Sequence, residues 1–527
     1  MDRRDLSKVL LGSAAGVALP GESAKAQSGV AQNFAQTAAE GAARVAPTNS
    51  VYPPGSLLRY KTGSLAVDAD NDWSPALQAA CDQCMTGGVE VIIPGTTGFY
   101  RCNKAITLPK GCRITSEGTQ PTLRFYGCHG FVLAHACANL NVSGVELFSL
   151  TSDGKVDPKK YNGITVKGAK GATCNYIFLK DLYMRGWDRC IDLCWTWNST
   201  IDNCTTLNCN IGVRLYGQSV SNSIINCRLG ANTGTHSIKC EKDVAIRGEG
   251  LTIANSLLAM GSYGLQADGF LSLNIVNSVI DQIGDTGIDV TNGQALVVSN
   301  CWIYAANHGV RWRDLSVLSD QGATISSCRV ETTAANSKAL FVGANNQGIS
   351  VSGGSLTCSS RGTSHCLSTH ATSNHISVVG THLDNPGTSP SVYAGAPGFR
   401  HAAMTGAVSI QYAAPDQYTG ALTQCTTAPT TQIIYSVTGD IVTLQIPSLT
   451  AISANANQPV ITGMPAAIWP RVQQFVAGHI MNNGLPVIGM IAVGTNGDLA
   501  LYNGAASVFT AANSKGVNPC TITYRRV

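Results

Sequence analysis

Charged side chains are scarce in this chain of 527 residues. Asp, Glu, Lys and Arg together make up 13% of it, and the formal net charge is only +4. The basic clusters are no longer than pairs such as Lys159 with Lys160 and Arg525 with Arg526. Nucleic-acid binding needs many cations gathered on one surface, and this sequence provides no such footprint. An uncharged or acidic glycan is therefore a better partner than a phosphate backbone.

Long apolar runs are absent as well. The apolar stretch at residues 9–19 is too short to span a bilayer, and we expect no membrane span. It follows Arg3 and Arg4 and precedes the small-residue site at Ala24 and Ala26, which is typical of a twin-arginine export signal. Residues 1–26 are thus predicted to be such a signal, leading to the periplasm or extracellular space, or alternatively the N-terminal arm of a virion protein. Residues 27–50, rich in Ala, Gly, Ser and Gln, are interpreted as a linker.

Small and apolar residues dominate what is present. The chain contains 55 Gly and is 44% hydrophobic, which excludes a disordered chain. Few charges with abundant small polar residues favour stacked β-coils, in which most side chains form ladders. Internal repetition is the feature that would identify such an architecture.

Two short phrases recur in phase over about 200 residues at intervals of about 22–29 residues. The first places Asn before Cys or Ser between apolar pairs: Asn203 and Cys204, Asn226 and Cys227, Asn255 and Ser256, Asn277 and Ser278, Asn300 and Cys301. It continues in weaker form at Ser327 and Cys328, Gly354 and Ser355, and Gly380 and Thr381. The second is a short strand such as Gly212-Val213-Arg214-Leu215 or Gly287-Ile288-Asp289-Val290.

These phrases predict an all-β solenoid with three strands per coil. A sharp bend between strands needs one residue near the left-handed αL conformation, which Asn and Gly adopt most easily. Cys204, Cys227, Cys301 and Cys328 alternate in position with Ser256, Ser278 and Ser355, so most of the 19 Cys are interpreted as small inward residues with free thiols.

The N-terminal part carries a family resemblance. Ser74 and Pro75 open a predicted helix, Gly87 and Gly88 end it, and a strand with Val91 and Ile93 leads to Pro94, Gly95 and Tyr100. This order is similar to the opening of the pectate-lyase-like superfamily, and the lead-in from Tyr52 to Tyr60 resembles that of phage and prophage tail proteins of this type. The usual Gly-Asp-Gly loop is replaced by Asp68, Ala69 and Asp70.

The resemblance implies a right-handed parallel β-helix over residues 51–385, with the helix plugging its open N-terminal end. Residues 386–415, rich in Pro, Gly and Ala, are interpreted as a linker. Alternating strands from residue 416 onward predict a C-terminal antiparallel β-sandwich over 416–527. That part resembles a domain appended to phage tail fibres and spikes, which implies trimerisation or receptor contact.

The candidate catalytic residues lie around one column of predicted outward side chains. Glycoside hydrolysis needs two carboxyl groups at a defined separation, and adjacent coils about 4.8 Å apart can supply them. Asp268, Asp285, Asp289 and His308 are predicted to converge on three successive coils, with Arg311 binding a sugar oxygen or a uronate. The arrangement resembles polygalacturonase-like sites, although the motifs of that family are missing. The alternative is a solvated face with ion pairs such as Asp289 with Arg311.

Further candidates concern lyase chemistry and sugar binding. Lys239 or Arg214 near Asp192 could serve as the base of a lyase, in which Ca²⁺ would be bound by Asp residues. Otherwise no metal or cofactor is expected. Trp195, Trp197 and Trp312 are predicted to stack on sugars, with core filling as the alternative.

The resulting hypothesis is a homotrimeric, tailspike-like protein of a virion tail that binds and depolymerises a bacterial surface polysaccharide, such as capsule, O-antigen or a pectin-like uronate. One alternative is an exported, monomeric polysaccharide lyase or glycoside hydrolase. The other is a non-catalytic glycan-binding spike.

Overall fold

The structure is a computed structural model that describes residues 33–526 with short gaps. The gaps are 134–137, 156–159, 231–233, 244–245, 314–321, 361–362, 387–388, 396–398, 407, 409, 413–415, 439, 453–456, 505–508 and 512. The predicted signal at residues 1–26 lies outside the described residues.

A short helical cap opens the described chain. It contains helix α1 (Ala38–Ala42), helix α2 (Ser74–Asp82) and two 3₁₀ turns (Leu57–Tyr60 and Gln83–Thr86). Helix α2 confirms the predicted capping helix and buries Leu77 and Ala80, and the αL residue Gly87 follows the second turn. Ser74 is the first helical residue rather than the cap, and its Oγ accepts a hydrogen bond from the Asn103 amide at 2.8 Å.

The predicted linker at 27–50 is wrong for its described part. Glu40 and Arg59 are both fully buried and form an ion pair with Nε–Oε1 of 2.7 Å, and Tyr60 donates to Glu40 at 2.8 Å. Burial alone would raise the pKa of Glu40, but the hydrogen bonds from Arg59, the Thr37 amide and Tyr60, together with the charge of Arg59, outweigh it and lower that pKa to about 2. Residues 33–50 are therefore held against the helical cap by the buried ion pair between Glu40 and Arg59. The amino-acid composition of the segment gave no indication of this contact.

Three parallel sheets of thirteen strands each follow among the described residues. Sheet A contains β1 (Val91–Pro94), β4 (Arg113–Glu117), β7 (Asn141–Ser143), β11 (Phe178–Lys180), β15 (Thr200–Asp202), β18 (Ser223–Ile225), β21 (Gly248–Ala254), β24 (Phe270–Val276), β27 (Gln294–Ser299), β30 (Ala323–Ser326), β33 (Gln347–Ser352), β36 (Asn374–Val379) and β39 (Arg400–Ala402).

Sheet B contains β2 (Tyr100–Cys102), β5 (Thr122–Tyr126), β8 (Glu146–Leu150), β12 (Tyr183–Arg185), β16 (Thr205–Leu207), β19 (Arg228–Gly230), β22 (Leu257–Ala259), β25 (Val279–Ile283), β28 (Trp302–Ala305), β31 (Arg329–Thr332), β34 (Ser355–Cys358), β37 (His382–Asp384) and β40 (Thr405–Gly406).

Sheet C contains β3 (Ile106–Leu108), β6 (Phe131–Leu133), β9 (Ile164–Lys167), β13 (Arg189–Cys194), β17 (Ile211–Tyr216), β20 (His236–Glu241), β23 (Tyr263–Asp268), β26 (Thr286–Thr291), β29 (His308–Arg313), β32 (Lys338–Val342), β35 (His365–Thr369), β38 (Val392–Ala394) and β41 (Ile410–Tyr412). A small two-stranded sheet joins β10 (Cys174–Asn175) to β14 (Thr196–Trp197). One strand from each of sheets A, B and C makes a coil, and coils are numbered 1 to 13 from β1.

The corner between sheets A and B sets the register of the stack. Asn226, Asn255, Asn277 and Asn300 all have φ between 50° and 55°, and each follows a strand residue paired with its counterpart in the next coil. The αL bend predicted for these Asn residues is confirmed, and they lie one above another in successive coils. Each backbone amide donates to the next coil, as from Asn277 to the Ser299 oxygen at 3.1 Å.

The residue after each corner Asn points inward and links consecutive coils. The Ser256 amide donates to Ser278 Oγ at 3.2 Å, and the Cys227 amide donates to Ser256 Oγ at 3.1 Å. Each hydroxyl in turn donates to the carbonyl two residues earlier, as from Ser278 to Val276 at 2.8 Å. All 18 cysteines within the described residues are free thiols.

The predicted alignment of Ser355 with this inward column is wrong by one residue. Ser326 pairs with Ser352, so Gly353 occupies the αL corner (φ 64°) and Gly354 takes the inward position. Two successive glycines made the shift invisible in the sequence, because either of them could occupy the corner.

The predicted linker at 386–415 also differs from the structure. Within this range β38, β39, β40 and β41 pair in parallel with coils 11 and 12, so the stack continues to Tyr412. The Pro- and Gly-rich segments lie between these strands, where coil connections bend, and a composition shift alone did not distinguish them from a linker.

The remaining strands form one antiparallel sheet of ten strands around a separate apolar core. They are β42 (Asp416–Thr423), β43 (Thr430–Thr438), β44 (Ile441–Ile446), β45 (Leu449–Ile452), β46 (Val460–Thr462), β47 (Gln474–Asn482), β48 (Leu485–Val493), β49 (Leu499–Tyr502), β50 (Ser514–Val517) and β51 (Cys520–Arg525), with a 3₁₀ turn at Ala466–Ile468. The predicted C-terminal antiparallel unit is confirmed, but it is a single ten-stranded sheet rather than the two stacked sheets of the predicted β-sandwich. Its strands are continuous in one sheet, and no described helix is long and apolar enough to span a bilayer.

The corner geometry generates a stability prediction. Asn277→Ala should lower the free energy of unfolding of the solenoid by about 1–2 kcal/mol, because alanine resists the αL conformation, whereas Asn277→Gly should change it far less. Asn274→Ala, on the outer face of the preceding strand β24, is the matched control. Calorimetry of the three variants checks this, and equal losses for Ala and Gly at position 277 would contradict it.

Candidate functional site

The outer face of sheet C carries the predicted column of polar residues. The pairing register places Asp192 beside Arg214, Arg214 beside Lys239, and continues through Gln266 and Asp289 to Arg311. We call these six residues the central column. Its alignment is confirmed, and its chemistry depends on which of its charges are already paired.

Asp289 is held in an ion pair on both of its oxygens. Its side chain is 0% exposed, and Arg311 donates to Oδ1 at 2.9 Å and to Oδ2 at 2.8 Å. Arg313 donates to the same oxygens at 3.2 and 2.8 Å. Burial opposes the charge, but the two guanidinium groups outweigh it and lower the pKa of Asp289. A carboxylate in this state is a poor proton donor, so the ion-pair alternative describes this pair better than acid catalysis.

Asp192 is sequestered in a similar way. It is buried, with Arg189 donating to Oδ2 at 3.0 Å and Arg214 donating to Oδ1 at 3.2 Å. Because the Asp192 side chain is only 4% exposed and both of its oxygens are paired, it is closed to a sugar and to Ca²⁺. Within the described part of the chain, no cluster of three or more His, Cys, Asp or Glu residues could hold a metal ion.

The predicted convergence of carboxylates is only partly realised. Asp285 and His308 start neighbouring strands, and the His308 amide donates to the Asp285 carbonyl oxygen at 3.1 Å. Asp268, however, lies opposite Thr291, six residues beyond Asp285, which is about 20 Å along the strand direction. Asp268 and Asp285 therefore cannot act on one glycosidic bond. The sequence pattern suggested proximity because both residues flank short strands, and it did not show that they flank opposite ends.

His308 is a neutral imidazole at physiological pH. Burial lowers its pKa to about 4, and the charges of Arg311 and Lys338 act in the same direction. Its ring lies 5.7 Å from that of Phe341.

The predicted sugar-stacking tryptophans are mostly buried. Trp195 and Trp312 are both buried, so their assignment as binding platforms is wrong. Trp312 belongs to the apolar core of the solenoid, which confirms core filling for that residue. Trp197 is half-buried, with its Nε1 donating to the Gln218 carbonyl at 3.0 Å. Trp302, in contrast, is well exposed, on sheet B.

A second column lies at the end of the sheet C strands, two residues beyond the central column. We call Tyr216, Glu241, Asp268, Thr291 and Arg313 the end column; one residue of it comes from each of coils 5 to 9. Glu241 continues the register that pairs Cys240 with Ala267, so it lies beside Asp268 at the strand spacing of about 4.8 Å. Their side chains are 30% and 44% exposed. Retaining glycosidases use two carboxyl groups about 5–5.5 Å apart, and carboxylates on neighbouring coils are candidates for such a pair.

The two carboxylates have different surroundings. Glu241 is paired with Lys239 at 2.7 Å and accepts a hydrogen bond from Arg214 Nε. Burial opposes its charge, yet Lys239 and Arg214 outweigh that effect and lower its pKa. Asp268 accepts from Asn292 Nδ2 at 3.0 Å and lies 3.3 Å from Lys242 Nζ, both through Oδ1.

Tyr216 precedes Glu241 in the end column and offers an aromatic surface. Its ring lies 4.6 Å from the guanidinium carbon of Arg214, and its hydroxyl donates to Asp243 Oδ1 at 3.2 Å. Sequence reasoning missed Glu241 and Tyr216 because the repeated phrase was taken to stop at its fourth residue. Counting two residues beyond Arg214 and Lys239, on the same face of a strand, would have found both.

A shallow groove of about 450 Å³ lies elsewhere, at the corner between sheets A and B in coils 2 to 5. Its lining is polar and includes Asp181, Tyr183, Asn203 and Thr205. Asn203 Nδ2 donates to Asp181 Oδ1 at 2.6 Å. No sequence motif indicated this groove, because it depends on a loop of coil 2 lying over later coils.

Comparisons with known proteins concern the fold. Residues 189–364 match the family model described as a right handed beta helix region. A search of curated proteins finds no match. The A-module of a mannuronan C-5 epimerase from Azotobacter vinelandii is 13% identical, with 66% of this chain and 95% of that chain covered and a TM-score of 0.42.

Two tailspike structures are also similar in fold. The Dettilon tailspike protein is 11% identical, with 85% of this chain and 90% of that chain covered and a TM-score of 0.40. The tailspike protein of E. coli bacteriophage HK620, solved in complex with a pentasaccharide, is 11% identical, with 87% and 90% covered and a TM-score of 0.39.

The ion pair of Asp289 generates a pH-dependent prediction. Asp289→Asn should lower the free energy of unfolding by about 3–5 kcal/mol at neutral pH, because Arg311 and Arg313 lose their buried counter-charge. The folded pKa lies below the unfolded value of about 3.9, so this stabilisation is present above that value and is lost as pH falls through the folded pKa.

The difference between wild type and Asp289→Asn should therefore shrink in acid, as measured by calorimetry between about pH 3 and pH 7. Asp268→Asn, at a carboxylate that is 44% exposed and paired only with Lys242 among the described cations, should cost no more than about 0.5 kcal/mol at any of these pH values. A pH-independent difference for Asp289→Asn would show that folding does not lower the pKa of this carboxyl group.

Proposed function

The described chain is a right-handed parallel β-helix protein with a C-terminal antiparallel sheet, and from this premise we propose that it binds and depolymerises a bacterial surface polysaccharide. It would act in a phage tail or outside the cell. The observation that carries the proposal is the pair Glu241 and Asp268, two partly exposed carboxylates on adjacent coils in a face lined by Tyr216 and Arg313.

The proposed reaction is hydrolysis with retention. Glu241, kept ionised by Lys239 and Arg214, attacks the anomeric carbon as the bond to the leaving sugar breaks. Asp268 gives its proton to the leaving oxygen, and then takes one from the water that releases the glycosyl group from Glu241. Each carboxylate therefore returns to its starting state after one turnover.

Neighbouring side chains supply binding surfaces along the coil axis. Tyr216 lies one coil before Glu241 and can stack on a sugar face. Arg313 lies two coils beyond Asp268, and its guanidinium can hydrogen-bond to sugar hydroxyls or to a uronate carboxylate. A polysaccharide lying along the end column would thus contact both groups while its glycosidic oxygen lies between the two carboxylates.

The competing hypotheses differ in their products. A polysaccharide lyase would use Lys239 or Arg214 as its base in place of the Glu241 and Asp268 pair. A lyase releases an unsaturated sugar with ultraviolet absorbance, a hydrolase releases reducing ends without it, and a non-catalytic spike releases neither. A monomeric exported enzyme would retain activity without any assembly.

Substitution of the carboxylates tests the site. Glu241→Gln and Asp268→Asn should each reduce the release of reducing ends from purified capsule or O-antigen polysaccharide by at least about a hundredfold, because each removes one half of the acid–nucleophile pair. Asp285→Asn, about 20 Å away along the strand, is the matched control and should retain activity. Loss of activity in Asp285→Asn with full activity in Glu241→Gln would place the chemistry at the other end of the strands.

The proposal includes assembly as a homotrimer through the C-terminal sheet. Strands β47 and β48 form a long hairpin, and residues 474–493 contain no Asp, Glu, Lys or Arg. On its outer face, Phe475, Ile488 and Met490 are exposed, Ile488 by 80%. Exposed apolar groups gathered in this way mark a contact surface. The outcome we favour is contact between copies of this chain, since a symmetric assembly brings the same face of every copy to one axis.

A charge placed on this face tests the assembly. Ile488→Asp should convert trimers to monomers in light scattering at fixed protein concentration, because three carboxylates would be buried together. Ile452→Asp, at a position 68% exposed on β45, is the control and should remain trimeric. A wild-type protein that is monomeric would contradict this part of the proposal and leave the carboxylate site unaffected.

A further inference from the structure

A row of exposed side-chain amides lies at the corner between sheets A and B. These amides take no part in the reaction proposed for the outer face of sheet C. Asn255, Asn277 and Asn300 turn the chain with positive φ, and all three are exposed to solvent. The αL bend does not by itself require Asn, because Gly adopts this conformation equally well. The side-chain amides are thus not needed for the bend. The Asn amides project at intervals of one coil, about 4.8 Å, along an edge of the solenoid.

An apolar stripe runs beside these amides on the outer face of sheet B. Two residues after each Asn lie Leu257, Val279 and Trp302, which are paired in register across coils 7, 8 and 9. Trp302 is 42% exposed, with its ring on a flat sheet face rather than in the core. A large aromatic ring left in water next to aliphatic neighbours indicates a contact surface.

The stripe is continuous with the shallow groove described above. The same outer column runs from Tyr183 through Thr205 and Arg228 to Leu257. Tyr183 and Thr205 line the groove of about 450 Å³ in coils 2 to 5. From Tyr183 in coil 4 to Trp302 in coil 9 is five coil spacings, or about 24 Å. We call this path, with its flanking Asn residues, the corner strip.

We infer that the corner strip is a second, non-catalytic polysaccharide-binding site, which takes an extended uncharged stretch of the chain parallel to the solenoid axis. The inference rests on the proposed function, since it adds a holding site for the same class of substrate. Sugar rings present an apolar face that stacks on Trp302, Tyr183 and the aliphatic stripe. Their hydroxyls match the donor and acceptor pairs of the Asn amides, at a spacing comparable to the length of one sugar ring.

The position of the strip separates its role from cleavage. Each coil passes through sheets A, B and C in turn, so the corner between A and B faces away from the outer side of sheet C. One polymer held at the strip could thus be cut elsewhere along its length, which raises the effective concentration of substrate at Glu241. Nucleic acid is a poor alternative, because Arg228 is the one cation in the outer column between coils 4 and 9.

The test uses the full-length protein with Glu241→Gln, so that the polysaccharide is not consumed. Binding is measured on an array of purified bacterial capsular and O-antigen polysaccharides. Adding Trp302→Ala should weaken binding about tenfold through loss of the stacking surface. Adding Asn277→Gly, which keeps the backbone conformation and removes the amide, should weaken it several-fold. Phe178→Ala, at a residue 44% exposed on the outer face of sheet A, is the matched control and should bind normally.

The possible results are distinguishable. Equal binding by the Trp302→Ala and Phe178→Ala proteins overturns the inference. The cleavage proposal still stands in that case if Glu241→Gln alone abolishes the release of reducing ends. A change in oligomeric state caused by Trp302→Ala, measured by light scattering, also overturns the inference. That result would identify the corner strip as a contact between chains. An array without any binding, together with wild-type protein that cleaves none of the polysaccharides, refutes the proposed function and this inference with it.

Discussion

Hydrogen bonding between coils is the constraint on which the rest of this molecule depends. Each strand of coils 2 to 12 takes its backbone partners from the coils before and after it, so a coil that slips by one residue reverses its inward and outward side chains. The two-residue corner between sheets A and B prevents such a slip. An αL residue turns the chain there, and the following Ser or Cys accepts a hydrogen bond from the previous coil, as Ser278 does from Ser256. Regular columns of outward side chains are the direct product of this fixed register.

The outward columns show how the same geometry creates both structural and chemically available charges. Adjacent rungs are close enough that an opposite charge one coil away becomes a partner, as Arg311 is for Asp289. In the middle of the sheet such pairs are buried, and their energy stabilises the stack. At the ends of the strands the side chains reach solvent, and Glu241 and Asp268 remain partly exposed although each has a cation nearby. Position along the strand therefore decides whether a carboxylate in this fold is structural or available.

The sequence was sufficient for the solenoid because its information is local and repeated. Asn226, Asn255, Asn277 and Asn300 mark one corner, and the alternation within phrases such as Gly287 to Val290 distinguishes inward from outward residues. Predictions failed where the outcome depends on neighbours in other coils. The burial of Trp195 and Trp312, the two arginines on Asp289, and the distance between Asp268 and Asp285 all depend on pairings that a single strand does not contain. The extension of the stack to Tyr412 was missed because one coil has a composition like that of a linker.

The short corner between sheets A and B has a further consequence for how this chain can change in length. From coil 5 to coil 9, two residues such as Asn203 and Cys204 separate the sheet A strand from the sheet B strand, whereas the connections from sheet C to the next coil vary in length. Insertions at the latter connections leave every rung in place, because they lie outside the ladder. A residue inserted at the corner between sheets A and B would instead shift the following sheet B strand out of register with the strands of the neighbouring coils. The connections from sheet B to sheet C vary in length too, from two residues before β29 to five before β32. New loops, and the specificities that loops confer, can therefore be added at the two edges that border sheet C but not at this corner.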